Sequence, residues 1–144
     1  MIGSFDVPPT AARINTRQNW LSFHALMARL LCRGLTDQSS MAIQPFKAIL
    51  ETVDANPDKL LHHLRGINVW LDYAGEALIK SHAKETGPTG LLWRGPRGFS
   101  RARWRFWQQS LLRLTCDCNQ QPDVRGMAQI AWARLTKLLE ECGP

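Results

Sequence analysis

The apolar residues of this chain recur at the spacing of an α-helix, and this pattern restricts the fold more than any other feature. The clearest stripe begins after Asn56-Pro57 and contains Leu60, Leu64, Ile67, Leu71, Ala74 and Leu78. Residues spaced three or four positions apart lie on one face of a helix. No segment shows sustained alternation of apolar and polar residues, so we predict no strands. The sequence therefore predicts an all-α fold.

Caps and helix breakers divide this pattern into a single bundle of about five helices. A length of 144 residues suits one domain. We expect the domain to span residues 15–142, after a flexible arm at 1–14 in which Pro8-Pro9 stops regular structure. Pro45 predicts a kink or a later start in the second helix. The expected helices cover about 15–33, 39–54, 57–84, 101–117 and 122–141.

Single residues indicate how these helices begin, end and pack. Asn56 and Ser100 are expected to cap the third and fourth helices. Gly34 is placed to end the first helix in the left-handed conformation. Gly66 and Gly75 weaken the third helix, and close contact between helices is one reason to keep them. The first helix is expected to bury Trp20, Phe23, Met27, Leu30 and Leu31.

A long connection over residues 85–99 leads into a strongly basic segment. Loops of this length are uncommon in compact domains and are usually functional or mobile, and apolar Leu91, Leu92 and Trp93 predict that this one packs on the helices. Residues 86–116 contain six arginines and no Asp or Glu, which equals numerically the whole net charge of +6. Aromatic residues are interleaved with these arginines: Trp93, Phe99, Trp104, Phe106 and Trp107.

The start of the fourth helix is the candidate binding site. Arg101 and Arg103 lie in its first turn, where the helix dipole favours acidic residues. Departures from such local rules occur most often at functional sites. We therefore predict a surface that accepts a small anionic ligand or an unidentified protein partner. The candidate residues are Trp93, Arg94, Arg97, Arg101, Arg103 and Trp104.

Two other interpretations of the basic segment stay open. The arginines could pair with acids of the same chain, in which case the tryptophans are core residues. The candidate acids are Glu51, Asp54, Asp72, Glu76 and Glu140. Alternation of arginine and aromatic residues could also bind nucleic acid by stacking bases and contacting phosphates, although no recognised nucleic-acid-binding module is present.

An enzyme is the main alternative to a binding module. The sequence contains no recognised catalytic motif or cofactor fingerprint, so it favours a non-catalytic protein. A cofactor-free isomerase or cyclase acting on a small apolar metabolite would need a deep cavity. In that cavity His24, Tyr73, Asp72 or Glu76 would have to converge. Adjacent His62 and His63 point in different directions on a helix, and Cys116-x-Cys118 has too few neighbours for zinc, so no metal site is predicted.

Composition bears on location and partners. Four cysteines, with no visible secretory signal and no apolar run long enough to span a membrane, predict free thiols in an intracellular protein of the cytoplasm or nucleus. A pI of about 9.6 favours anionic partners.

Three segments resemble a fungal family of uncharacterised all-helical proteins. Trp20 to Leu30 resembles a "W-x-x-x-x-x-x-x-A-R-L" helix, and Trp70 to Gly75 is similar to a "W-x-x-x-A-G" helix. Residues 93–107 resemble a "W-x-G-x-x-G-F-S-x-x-R-W-x-x-W" signature, in which an acidic residue often precedes Arg-Trp where this chain has Ala102. The resemblance implies a fungal, intracellular helical protein without an assigned active site. Because members are often longer at the N-terminus, it also implies a short version of the family.

Overall fold

Helices account for nearly all regular structure in the computed structural model of the protein, which describes residues 9–36, 39–52, 56–81, 92–95 and 98–142. Five α-helices occur in this part of the chain: α1 (Pro9–Cys32), α2 (Ile43–Leu50), α3 (Pro57–Ile79), α4 (Arg101–Cys116) and α5 (Pro122–Glu141). A 3-10 turn, Ser39–Ala42, precedes α2. These residues include no strand, and the predicted all-α fold is confirmed.

The central helix is α3, because α1, α2 and α5 all pack against it, while α4 packs on α5 and α2. Two glycines of α3 permit close approach of the neighbouring helices. A Cβ atom on Gly66 would lie 2.5 Å from the Trp20 ring of α1, and one on Gly75 would overlap Leu138 of α5. The expectation that these glycines allow close contact between helices is confirmed. The largest fully buried side chains include Phe46, Leu64, Ile67, Trp70, Trp104, Trp107 and Leu111.

The predicted ends of the helices are confirmed where a specific cap was identified. The Asn56 side chain accepts a hydrogen bond from Lys59 N at 2.8 Å, and Pro57 follows as the first residue of α3. Ser100 accepts from Arg103 N at 3.1 Å. Gly34 has a φ of 72°, and the Leu35 N–H behind it donates to Leu30 O at 2.8 Å.

The bounds of three helices differ from the ranges expected from the sequence. The first helix begins at Pro9, since proline is tolerated in the first turn of a helix. Residues 9–14 of the expected arm are therefore helical. Residues 1–8 lie outside the described residues. In the second segment the α-helix proper covers only Ile43–Leu50, which places Pro45 in its first turn and bears out the later start. Helix α3 ends at Ile79, earlier than expected.

The buried face of α1 also differs from the prediction. Among the side chains of α1 that the structure describes, His24 and Ala28 are buried and Phe23 is 51% exposed, whereas the predicted Met27 and Leu31 do pack against the core. Trp20, His24 and Ala28 follow one another at four-residue spacing, so the face that meets α3 is centred on a histidine. Apolar content alone pointed to the wrong residue because His24 is buried through a hydrogen bond, with Trp70 Nε1 donating to its Nδ1 at 2.9 Å.

No helix within the described ranges has both the length and the apolar character required to cross a membrane.

Candidate functional site

The interior next to the basic segment contains an ion pair between Arg103 of α4 and Glu51, the residue that follows α2. Arg103 Nε donates to Glu51 Oε2 at 2.6 Å, and Arg103 Nη2 donates to Glu51 Oε1 at 2.8 Å. Both side chains are 0% exposed. The two parallel hydrogen bonds match the fork of a guanidinium to a carboxylate. Each charge therefore has its partner in a place where an unpaired ion would be strongly destabilising.

Further contacts enclose this pair, and we call the whole set the ion-pair cluster: Glu51, Trp93, Gly98, Arg103 and Trp107. Trp107 Nε1 donates to Glu51 Oε2 at 2.7 Å, and Arg103 Nη1 donates to Gly98 O at 3.3 Å. The Arg103 guanidinium carbon lies 4.9 Å from the Trp107 ring centre and 5.9 Å from that of Trp93. The cluster thereby connects the end of α2 to α4 and to the segment before α4.

Local backbone requirements explain the glycines and the serine of this segment. Gly98 has a φ of 83°, in the left-handed region that favours glycine. A Cβ atom on Gly95 would overlap the ring of Trp93. Ser100 turns the chain into α4 as its cap, which places Arg103 in the first turn facing the interior. The residues that carry the family resemblance thus include most of the ion-pair cluster.

The six predicted site residues fall in different environments. Arg103 and Trp104 are buried, Trp93 and Arg101 are half-buried, and Arg94 is exposed. Arg97 lies outside the described residues. Arg103 belongs to the ion-pair cluster together with Trp93, whereas Arg101 and Trp104 line a surface cleft. The idea that the arginines pair with internal acids thus holds for Arg103, through Glu51.

The cleft lies where the ends of α3 and α5 meet the start of α4, and we call it the Arg101 cleft. Its volume is about 470 Å³. It is lined by Ile79, Lys80, Ser81, Phe99, Ser100, Arg101, Trp104, Leu139 and Cys142. Two cationic side chains and no carboxylate are among these lining residues. The apolar ones come from all three helix ends and from Phe99, so the cleft combines positive charge with an apolar wall.

The charges at this cleft are balanced unequally. Lys80 donates to Glu76 Oε1 at 2.6 Å, and this hydrogen bond raises the pKa of Lys80. Arg101 has no ion pair with any residue in the described part of the chain. It also occupies the first turn of α4, at the positive end of the helix dipole. The excess positive potential of the cleft is therefore concentrated at Arg101.

A second polar group beside the cleft, the indole N–H of Trp104, also lacks a partner among the described residues. Its ring is 2% exposed, lies 5.2 Å from that of Phe99 in a parallel stack, and meets Phe46 edge-on at 5.4 Å. Trp104 Nε1 is buried and has no hydrogen-bond acceptor among the described residues. An indole N–H usually finds a partner when it is buried.

The residues named for the enzyme alternative lie in two different places. Asp72, Tyr73 and Glu76 line a shallow depression of about 460 Å³ beside α3, where Tyr73 Oη accepts a hydrogen bond from Arg29 at 3.0 Å. His24 does not line this depression. It is buried between α1 and α3, where its Nδ1 is occupied by the Trp70 indole. The described residues therefore bring Asp72, Tyr73 and Glu76 together at an open depression and place His24 elsewhere.

Three histidines surround Trp20 where α1 packs on α3. The Trp20 ring centre lies 4.2 Å from that of His24, 4.1 Å from that of His62 and 5.5 Å from that of His63. Burial, followed by the charge of His62 and of Lys59, lowers the pKa of His63 to about 4. Burial is also the main cause that lowers the pKa values of His24 and His62. These imidazoles are therefore neutral at pH 7.

This arrangement predicts a loss of stability in mild acid. The unfolded chain binds a proton at His63 near the ordinary pKa of 6.5, whereas the folded protein does so only near 4. The free energy of unfolding therefore decreases as the pH falls below 6.5. The total decrease due to His63 is on the order of 3 kcal/mol once the pH is below about 4. Urea unfolding at pH 7.5 and pH 5 should show a lower midpoint at pH 5. The His63→Asn variant should show a smaller difference, and an equal one would exclude His63 as its source.

The cysteines do not build a site. All four are free; Cys32, Cys116 and Cys118 are exposed and Cys142 is half-buried. Within the ranges that the structure describes, no group of three or more His, Cys, Asp or Glu side chains could hold a metal ion.

Several of these residues were not identified from the sequence. Glu51 was only one of five candidate acids, and Trp107 and Gly98 were not singled out as partners of Arg103. The basic residues around His62 were also missed. The available signals were weak, since a glutamate at the end of an apolar helix and a glycine before a cap are common features.

The fold and the site together define the protein as a small all-α domain with a buried ion-pair cluster and a basic surface cleft. The chain belongs to a family described as Protein of unknown function (DUF3632), whose model matches residues 6–111. The match includes the ion-pair cluster and ends within α4, so α5 lies beyond it. No curated protein and no solved structure matches the chain.

Proposed function

We propose that this protein is a non-catalytic binding module and that its ligand site is the Arg101 cleft. The ligand is a small anion with an apolar portion. Its negative group pairs with Arg101, and its apolar portion lies against the side chains from α3, α5 and Phe99. Ligand sites of this kind are concave, mostly apolar, and fixed in orientation by a few polar groups.

The observation that carries the proposal is the uncompensated charge of Arg101 in a cleft whose described lining residues include no acid. Arg103, two positions further along the same helix turn, is compensated by Glu51. Arg101 has no such partner among the described residues, although both residues oppose the helix dipole. A bound anion would offset this cost, and the helix N-terminus itself favours negative charge.

The remaining predicted residues enter the proposal in two roles. Arg103 and Trp93 hold the segment before α4 in place through the ion-pair cluster, and they position Arg101 without contacting the ligand. Trp104 forms part of the cleft wall. Arg94 is exposed and is proposed as a contact for larger ligands, as is Arg97.

A fungal origin and an intracellular location belong to the same proposal. The resemblance of residues 93–107 to the fungal signature supports the first. The four free thiols support the second, since reducing compartments keep cysteines unpaired.

Thermal unfolding in the presence of a ligand panel tests the function. The panel pairs medium-chain carboxylates and alkyl phosphates with the corresponding neutral alcohols, and includes oligonucleotides. A ligand that binds only the folded state stabilises it by about 2.7 kcal/mol at a hundredfold excess over its Kd. We expect the anions with apolar tails to raise Tm, and the neutral alcohols to leave it unchanged.

Two variants of the same helix locate the effect. Arg101→Gln should abolish the shift that the carboxylates cause, whereas Arg105→Gln, which changes an exposed arginine outside the cleft lining, should retain it. A shift with oligonucleotides alone, with a steep dependence on salt, would replace the proposal by nucleic-acid binding. A panel without any shift would contradict it.

A further inference from the structure

A second basic pocket lies where α1 packs against the first half of α3. We call it the His62 pocket. Arg17, Gln18 and Leu21 of α1 and His62 and Arg65 of α3 line it, and its volume is about 150 Å³. A water molecule takes about 30 Å³ in the liquid, so the pocket holds a few waters or one small polyatomic ion. It shares no lining residue with the Arg101 cleft.

The charge of this pocket is one-sided. Two guanidinium groups and an imidazole line it, and none of its lining residues is acidic. Neither Arg17 nor Arg65 forms an ion pair with any residue that the structure describes. Cationic side chains from two different helices therefore converge on one small concavity without an internal counter-ion.

The imidazole of His62 is held in place by its neighbours. Its ring centre lies 4.1 Å from that of Trp20 on α1 and 4.8 Å from that of His63 on α3. Burial and the charges of Arg17 and Arg65 lower the pKa of His62. Charged or titratable groups on both helices interact electrostatically with His62. These groups are Arg17 and His24 on α1 and His63 and Arg65 on α3. An anion between the arginines would counteract the part of this effect that comes from their charges.

We propose that the His62 pocket binds a tetrahedral oxyanion, with phosphate as the physiological group. Arginine presents a planar fork of donors that fits phosphate and sulfate oxygens with paired hydrogen bonds. Gln18 supplies an amide donor, and protonated His62 supplies an N–H donor. The phosphate is either free or the terminal group of a phosphomonoester, since both present the same oxygens to the pocket.

Sulfate is the probe for the test, because its charge stays constant over the pH range in which His62 titrates. The ring resonances of His62 are followed by NMR from pH 5 to pH 8 in sodium sulfate and in sodium chloride of equal ionic strength. The proposal predicts that sulfate raises the pKa of His62 in a saturable manner and that chloride does not. By thermodynamic reciprocity, sulfate then binds more tightly at pH 5.5 than at pH 7.5.

Variants assign the effect to the pocket. Arg17→Gln and Arg65→Gln should each weaken sulfate binding at least about tenfold, which is the value of one charge-assisted contact. Arg113→Gln, at an exposed arginine of the last turn of α4, should bind as the unmodified protein does. His62→Gln should still bind sulfate but lose the pH dependence. Unchanged amide spectra away from the pocket confirm that each variant is folded.

The Kd values of inorganic phosphate and of glycerol phosphate show whether the pocket prefers free phosphate or a phosphomonoester. Tighter binding of either one supports the proposal and names the source. An equal response to sulfate and chloride would overturn it, because the effect would then be ionic screening. Sulfate binding that survives in both the Arg17→Gln and Arg65→Gln proteins would overturn it as well.

Discussion

Replacement of Arg103 by alanine is expected to lower the free energy of unfolding by about 3–5 kcal/mol, because the buried Glu51 carboxylate would lose both hydrogen bonds to the guanidinium. Both side chains are 0% exposed, so water cannot replace the lost partner without opening the structure. Domains are stable by only about 5–15 kcal/mol, so this loss is a large fraction of the total. Chemical denaturation followed by circular dichroism measures it.

Two control proteins separate this charge effect from a general loss of packing. Arg105→Ala removes an exposed arginine of the same helix and should change stability by less than about 0.5 kcal/mol. The double variant Glu51→Leu/Arg103→Met replaces the pair by apolar side chains and should recover much of the loss. A single Arg103→Ala variant as stable as Arg105→Ala would show that the ion pair contributes nothing to folding.

The Trp70→Ala variant should be destabilised by a similar amount, about 3–5 kcal/mol, for a different reason. Trp70 is 0% exposed at the middle of the central helix, and its indole N–H connects α3 to His24 of α1. Alanine would leave a large cavity and would also remove the donor to His24 Nδ1. Urea unfolding should therefore show a much lower midpoint.

A matched tryptophan provides the control for this prediction. Trp132→Ala changes a half-buried residue of α5 and should cost clearly less. Trp70→Phe keeps most of the volume but removes the donor, so its stability should lie between those of the wild type and Trp70→Ala. Equal losses in Trp70→Ala and Trp132→Ala would contradict the central place given to Trp70.

The helices and their caps could be predicted because they depend on neighbours in the sequence. The stripe that begins at Leu60 follows from spacing alone, and the Asn56 and Ser100 caps depend on a single side chain reaching three residues ahead. The face of α1 could not be predicted in the same way. His24 is buried because Trp70, 46 residues away, donates to it.

The candidate site shows the same division between local and long-range effects. An anomaly at Arg101 and Arg103 was visible, because both arginines oppose the dipole of α4. Which of them has an internal partner depends on Glu51, which lies 52 residues before Arg103 and is brought to it by the packing of α2 on α4. The His62 pocket likewise depends on the register between α1 and α3, which no local pattern specifies.

The central claim is that two arginines of one helix turn have different tasks, and Arg101→Gln and Arg103→Gln test it directly. The free energy of unfolding of each variant is measured with and without the medium-chain carboxylate that stabilises the wild type most. We predict that Arg103→Gln is strongly destabilised, whereas Arg101→Gln is as stable as the wild type but no longer responds to the anion. An Arg101→Gln protein that keeps the full response, or that loses as much stability as Arg103→Gln, would contradict this account.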